Sequence, residues 1–185
     1  MIEEKDTIKC SVVFNDERTH RLYWKRVWNK EKPLAAVLAL NPATSDTIVA
    51  DTTTTLICNN VAKMQEYGGV IIVNLYSLLT SKLDFRWNSD KELNDAENDN
   101  YIVKAADESA IVILAWGRAE KNNRISERAK AVTSLLKKHK DKLFVISDGS
   151  KDRIHPLTPT VRSRWLLKPF NDQELQNKAQ ASPKA

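Results

Sequence analysis

The chain has little of what usually announces a metal, redox or membrane protein: among 185 residues there are two cysteines and three histidines, and no long apolar run. Cys10 and Cys58 are too few for a disulfide framework, and their spacing offers no zinc or iron–sulfur ligand set, so both are expected to be reduced, structural thiols. His20, His139 and His155 are scattered, which argues against a His-based metal site; no metal and no cofactor are expected. No stretch approaches the roughly 20 apolar residues that span a bilayer. The opening MIEEKDTIKC carries acids where a signal peptide carries bases, so a cytoplasmic address is expected. Also absent are a Gly-Lys-Thr phosphate loop, a Gly-x-Gly-x-x-Gly stretch and a Gly-x-Ser-x-Gly elbow, which removes the commonest nucleotide-hydrolysing, dinucleotide-binding and serine-hydrolase readings.

What is present is globular: 42% hydrophobic and 29% charged residues are neither disordered nor fibrous in composition. The length fits one domain, expected over residues 1–170, with a polar tail over 171–185. The net charge of +5 is modest. Bases gather at 21–32, 118–130, 137–142 and 162–168, compatible with one basic face, although lysine runs such as 137–142 are more often solvated helix surface.

Residues 8–14 and 21–28 are rich in β-branched and aromatic side chains around a polar turn, which predicts a hairpin flanking the main sheet. PLAAVLAL, residues 33–40, is apolar without alternation, as in a strand buried on both faces, and Asn41-Pro42 ends it. Leu56, Ile57, Val61 and Met64 recur at helical spacing, and Gly68-Gly69 supplies a left-handed position to close that helix. Strands at 70–75, 110–115 and 143–147 alternate with helices at 94–107 and around Ile125, Ala129, Val132 and Leu136. The alternation predicts an α/β fold, three-layer α/β/α, with a central four-stranded parallel sheet and an added N-terminal β-hairpin. In such sheets ligands gather beyond the carboxyl ends of the strands. The segments there are Asn41-Pro42-Ala43, Asn74 with Tyr76, Trp116-Gly117, and the stretch from Asp148 to His155-Pro156.

Those segments carry a resemblance. Leu40-Asn41-Pro42-Ala43 resembles the Gly-Ile-Asn-Pro-Gly form of the first motif of the uracil-DNA glycosylase superfamily. VIIVNLYSLLT at 70–80 is similar to that superfamily's buried strand ending in a base-reading Asn. IVILAWGRAEK at 111–121 resembles its strand ending in Leu-Trp-Gly, and His155-Pro156-Leu157-Thr158-Pro159 its His-Pro-Ser-Pro loop. RLYWKRVW, LALNPATSD, VNLYS, AWG, HPLTP and LLKPF further resemble the family called domain of unknown function 1643 along nearly the whole chain. The resemblance implies a glycosylase-like fold and a monofunctional, monomeric DNA glycosylase, which hydrolyses the N-glycosidic bond of a flipped pyrimidine and leaves an abasic site, in repair or in defence against phage.

It also implies roles. Asn41 would orient the attacking water, an amide being unable to take a proton as a carboxylate does; the plainer alternative is a turn cap before Pro42. His155 would donate to the oxygen of the departing base, where an ordinary loop histidine is the alternative. Asn74, ending a hydrophobic strand, must read a ligand or bond to backbone. Tyr76 would stack on the base or pack in the core, and Trp116 is expected in the core. Pro42 and Ala43 would wall the base; Ala43 stands where uracil-specific members carry tyrosine beside C5. The missing ring implies room for thymine or for a hydroxymethyl or glycosylated cytosine. Asp51 would supply the general base that Asn41 is not, or cap a helix. Leu157 would wedge into DNA while Arg118, Arg162 and Arg164 contact phosphates. Two other readings stay open: a non-catalytic nucleic-acid or nucleotide binder of the same fold, and a hydrolase of free nucleosides.

Overall fold

The computed structural model describes residues 1–43, 46–117 and 122–171. Strands β1 (Lys9–Phe14) and β2 (Arg21–Val27) form the expected hairpin, its turn held by Asn15 Oδ1, which accepts the backbone N–H groups of Thr19 and His20 at 2.9 Å each. The hairpin is not a separate flank. β2 runs antiparallel to β4 (Gly69–Asn74), so both strands belong to one seven-stranded sheet of order β1-β2-β4-β3-β5-β6-β7. In its middle, β3 (Leu34–Ala39) pairs in parallel with β4 and with β5 (Ile111–Leu114), and β5 pairs in parallel with β6 (Leu143–Ser147). A last strand that the sequence did not announce, β7 (Leu166–Pro169), lies antiparallel on β6. The four strands expected to be parallel form the middle of a larger, mixed sheet, which antiparallel strands extend at both edges. β7 escapes periodicity because it is four residues long and mostly exposed, and its proline is tolerable only at an edge.

Both sheet faces are buried, and alternate side chains of each strand go to opposite layers. Ala35, Val37, Val70, Ile72, Ile113 and Ile146 point to the side covered by α1 (Thr52–Lys63) through Ile57, Cys58 and Val61. Ala36, Leu38, Ile71, Val73, Val112 and Val145 point to the other side. There α3 (Asn98–Glu108) contributes Ile102, Ala105 and Ala106, and α4 (Asn123–Leu135) contributes Ala129 and Val132. A one-turn helix, α2 (Asp90–Leu93), is held by a capping box between Ser89 and Glu92.

Two local expectations change. α1 closes at Met64, and Gln65, not glycine, takes the left-handed conformation (φ 60°). Gly68 and Gly69 serve close approach instead: a Cβ on Gly68 would sit 1.8 Å from the carbonyl oxygen of Asn29. The lysine-rich stretch after α4 is a separate 3-10 turn, Lys137–Lys142, whose last ammonium binds the carbonyls of Ala106 and Ser109, both at 2.8 Å.

Arg118 and the expected tail beyond Asn171 lie outside the described residues. Among the described residues, no helix is long and apolar enough to cross a membrane. Among them, too, no group of three or more His, Cys, Asp or Glu could hold a metal ion. Cys10 and Cys58 are free thiols.

Candidate active site

The parallel pairing of β3 with β4 continues past the strand ends. The N–H of Leu75 donates to Ala39 O (2.9 Å) and that of Tyr76 to Leu40 O (3.0 Å), so the two exit loops run side by side. Asn41 then reaches across: its Nδ2 donates to Thr80 O at 2.6 Å and to Pro42 O at 3.2 Å, while Thr80 N–H donates back to Pro42 O at 3.1 Å. Both partners of Nδ2 are carbonyls, which only accept, so the amide orientation is fixed by chemistry. Oδ1 of Asn41 is left as an acceptor with no donor among the described residues.

Asp51 is the N-cap of α1, and its Oδ1 accepts Thr54 N–H at 2.8 Å, a bond worth about 1 kcal/mol to a helix. The plainer reading of Asp51 therefore holds, but it does not exclude the other, because the residue also lines the cavity described below. Asp46, between β3 and α1, is spent on local structure: its carboxylate accepts Ile48 and Val49 N–H, both at 2.8 Å.

His155 enters from beyond β6. Its Nδ1 accepts the N–H of Leu157 at 3.1 Å, which assigns the neutral ring its proton on Nε2 and makes that atom a donor. Burial pushes the imidazole below its usual pKa, keeping it neutral at physiological pH. The loop before it is braced by Asp148, whose carboxylate accepts Ser150 and Lys151 N–H and the Thr160 hydroxyl. These bonds hold Asp148 well below the usual carboxylate range.

These segments enclose a cavity of about 170 Å³ at the carboxyl ends of β3 and β4. Of the residues singled out in the sequence, Asn41, Pro42, Ala43, Asp51, Asn74, His155 and Leu157 line it. Tyr76 does not, and its expected stacking role is corrected: its ring is buried, packs edge-on against Phe85 at 5.6 Å between centroids, and its hydroxyl donates to Arg124 O at 3.1 Å. Tyr76 borders a different, polar groove whose Arg124 and Arg128 are occupied by Asp90, Asp99 and backbone carbonyls. Trp116 is in the core. Arg162 and Arg164 lie outside the cavity: Arg162 Nε donates to Leu157 O at 2.7 Å, and Arg164 borders a separate hollow with Lys63 and Trp165.

Sequence reading missed Arg21. Although it heads one of the basic clusters, its side chain is 2% exposed and forms part of the cavity wall, so it adds nothing to a basic surface. Its Nη2 donates to Asn74 Oδ1 at 3.3 Å. Burial lowers its pKa to about 10, with Asp51 pulling the other way, so it remains a cation at neutral pH. Only the unforeseen pairing of β2 with β4 brings it there, and nothing in RLYWKRV marks its first residue as buried.

The fold is α/β, and a pocket walled by loops from the carboxyl ends of parallel strands, with amide, imidazole and guanidinium groups converging on it, lies where such sheets gather ligands, which makes it the candidate site. The family model described as "Protein of unknown function (DUF1643)" matches residues 21–157, and the chain belongs to that family. The match takes in every cavity residue from Arg21 to Leu157 and leaves Arg162 and Arg164 outside it. Neither the search of curated proteins nor that of solved structures returned a match.

Proposed function

We propose that the protein is a DNA glycosylase of the uracil-DNA glycosylase type, which removes a flipped base with room for a substituent at C5. One observation carries the reading: Asn41 and His155, distant in sequence, line the same cavity with complementary groups that have no partner among the described residues, an acceptor Oδ1 and a donor Nε2–H. Its volume is below the roughly 300 Å³ at which drug-sized pockets begin, a scale suited to one heterocycle.

In this reading, the bond between the base and the sugar carbon breaks with its electron pair passing to the base. The Nε2–H of His155 stabilises the charge that develops on the base oxygen; such donors act most strongly where water is excluded. Oδ1 of Asn41 accepts a hydrogen bond from a water and aims its oxygen at the sugar carbon. An amide cannot take the proton that this water loses; in this reading it passes to the carboxylate of Asp51 on the cavity wall. Leu157, 36% exposed at the rim, is the candidate wedge, and Arg162 and Arg164 are the candidate phosphate contacts.

The test is a set of matched oligonucleotides, each with one uracil, thymine, 5-hydroxymethyluracil or 5-hydroxymethylcytosine, scored for abasic sites. Release of a 5-substituted base, abolished by Asn41→Ala, is expected; release of uracil alone would defeat the C5 reading. Ala43→Tyr should narrow release to bases small at C5. A second reading, a binder of the same fold without activity, is favoured by the engagement of Asp51 as a helix cap. It predicts DNA binding that survives Asn41→Ala with no abasic site in any substrate.

A further inference from the structure

We propose that the exposed indole of Trp87 is a stacking platform for an unpaired base of a DNA strand. Trp87 is 81% exposed, and it rides on the loop after β4 whose first residues, Thr80 and Ser81, wall the cavity. The turn that carries it is fixed on both sides. Nη1 of Arg124 donates to Phe85 O at 2.7 Å and to Asn88 O at 3.0 Å, one residue to either side of the indole along the chain or two, and Asn88 N–H donates to Asp84 O at 3.2 Å. The Phe85 ring packs edge-on against Tyr76, 5.6 Å between centroids, and the Arg124 guanidinium lies 5.0 Å from its own centroid. A side chain held out on a braced turn loses little backbone freedom when something covers it, so less of its burial is offset by ordering.

Two features select the occupant. The first is size. Arg86, Asn88 and Ser89, which flank Trp87, are polar, so this turn displays one flat ring where a stable protein interface needs a contiguous apolar patch. A nucleobase matches one flat ring, since every base has a π face. The second is charge. The acids of this segment are engaged: Asp84 pairs with Arg86, Asp90 with Arg124, and Glu92 closes the capping box with Ser89. Lys82 and Lys91, before and after Trp87, are exposed, and their ammonium groups have no partner among the described residues. An aromatic face between two uncompensated cations is the combination that holds a single strand, the ring taking a base and the ammonium groups the phosphates. The stacking needs no glycosidic chemistry; that the strand so held also presents a base to the cavity rests on the glycosylase reading.

Binding and base release are measured separately. Trp24, Trp116 and Trp165 are buried and Trp28 is half-buried, so the red edge of the tryptophan emission reports Trp87. An oligothymidylate should quench that emission, and a chain of abasic deoxyribose phosphates of the same length should not. In anisotropy titrations with labelled oligothymidylate, Trp87→Ala should weaken binding about tenfold or more and Trp87→Phe about threefold or less, both with the wild-type melting temperature. Trp87→Ala removes no charge, so its slope of log affinity against log salt should equal that of wild type; Lys82→Ala combined with Lys91→Ala should make the slope shallower by about 0.7 per lysine. The proposal is overturned by a wild type that binds neither chain or holds both equally, by a Trp87→Ala protein that binds as wild type does, or by a wild-type slope in the double lysine variant. Self-association in ultracentrifugation that Trp87→Ala removes, with emission untouched by oligothymidylate, would assign the indole to a second copy of the chain and overturn it too. Absence of base release from oligonucleotides, with the stacking intact, overturns only the glycosylase reading.

Discussion

Gly117 and His155 meet backbone to side chain: a Cβ built on Gly117 would lie 2.9 Å from the Cβ of His155, and Gly117 holds φ at +73°. The loop after β5 therefore acts as the floor on which the His155 loop rests. Any side chain at 117 both strains the backbone and lifts the imidazole away from its place. Gly117→Ala is expected to lower stability by about 1–3 kcal/mol, from the positive φ and the contact together. Urea unfolding measures that loss. Base release should fall more than stability alone explains, and an unchanged rate in a folded Gly117→Ala protein would show that His155 need not sit where it does.

The pH dependence follows from the direction of the His155 shift. Burial lowers its pKa from the usual value of about 6.5. Below that value the unfolded chain binds a proton that the native ring resists, so stability contributed by His155 is complete above about 6.5 and is lost as pH falls toward the lowered native pKa. Protonation also puts a hydrogen on Nδ1, where it opposes the N–H of Leu157. Wild-type melting temperature should decline from pH 7.5 to 5 more steeply than that of His155→Asn, and base release should fall over the same range. Parallel curves would contradict the buried, neutral assignment.

Tyr76 separates a core role from a ligand role. Its hydroxyl donates to Arg124 O on the side of the sheet covered by α3 and α4, away from the cavity. Tyr76→Phe should cost about 1 kcal/mol of stability and leave ring binding and base release at wild-type values. A selective loss of ring binding in a stable variant would return this residue to the site.

The site was partly legible in advance because the strand-end rule needs only strand positions. PLAAVLAL and VIIVN are unbroken apolar runs, and whatever follows them must emerge at one edge; hence Asn41, Asn74 and His155 were found together. Arg21 was invisible for the converse reason. It heads an edge-type strand with charged residues at 25 and 26, and its burial depends on a long-range pairing, β2 with β4, that local pattern does not encode. Tyr76 misled because Asn74 and Tyr76 share strand parity only while the strand lasts. β4 ends at Asn74, and the next two residues turn into the core. β7 is too short for periodicity to register, and the glycines at 68 and 69 carry a packing role that a helix-end signal imitates.

Asn41 invites an obvious substitution, Asn41→Asp, which would supply the carboxylate that the proposed hydrolysis lacks at this position. The geometry predicts failure. Nδ2 of Asn41 is held between two carbonyl oxygens, Thr80 O and Pro42 O. An ionised aspartate would set oxygen against oxygen in a half-buried position, so its native pKa should rise well above the usual carboxylate value. A raised pKa gives the opposite linkage from His155: native stability is kept at low pH, where the acid is neutral and can donate to Thr80 O, and is lost as pH rises through the native value. Urea unfolding should place Asn41→Asp about 1–3 kcal/mol below wild type at pH 8 and closer to it at pH 5. Base release should not rise, because a carboxyl neutral at working pH is no better a base than an amide. An Asn41→Asp protein as stable as wild type at pH 8, releasing base faster, would mean that the Thr80 loop yields readily, and the amide's place at the head of the cavity would then owe nothing to those two carbonyls.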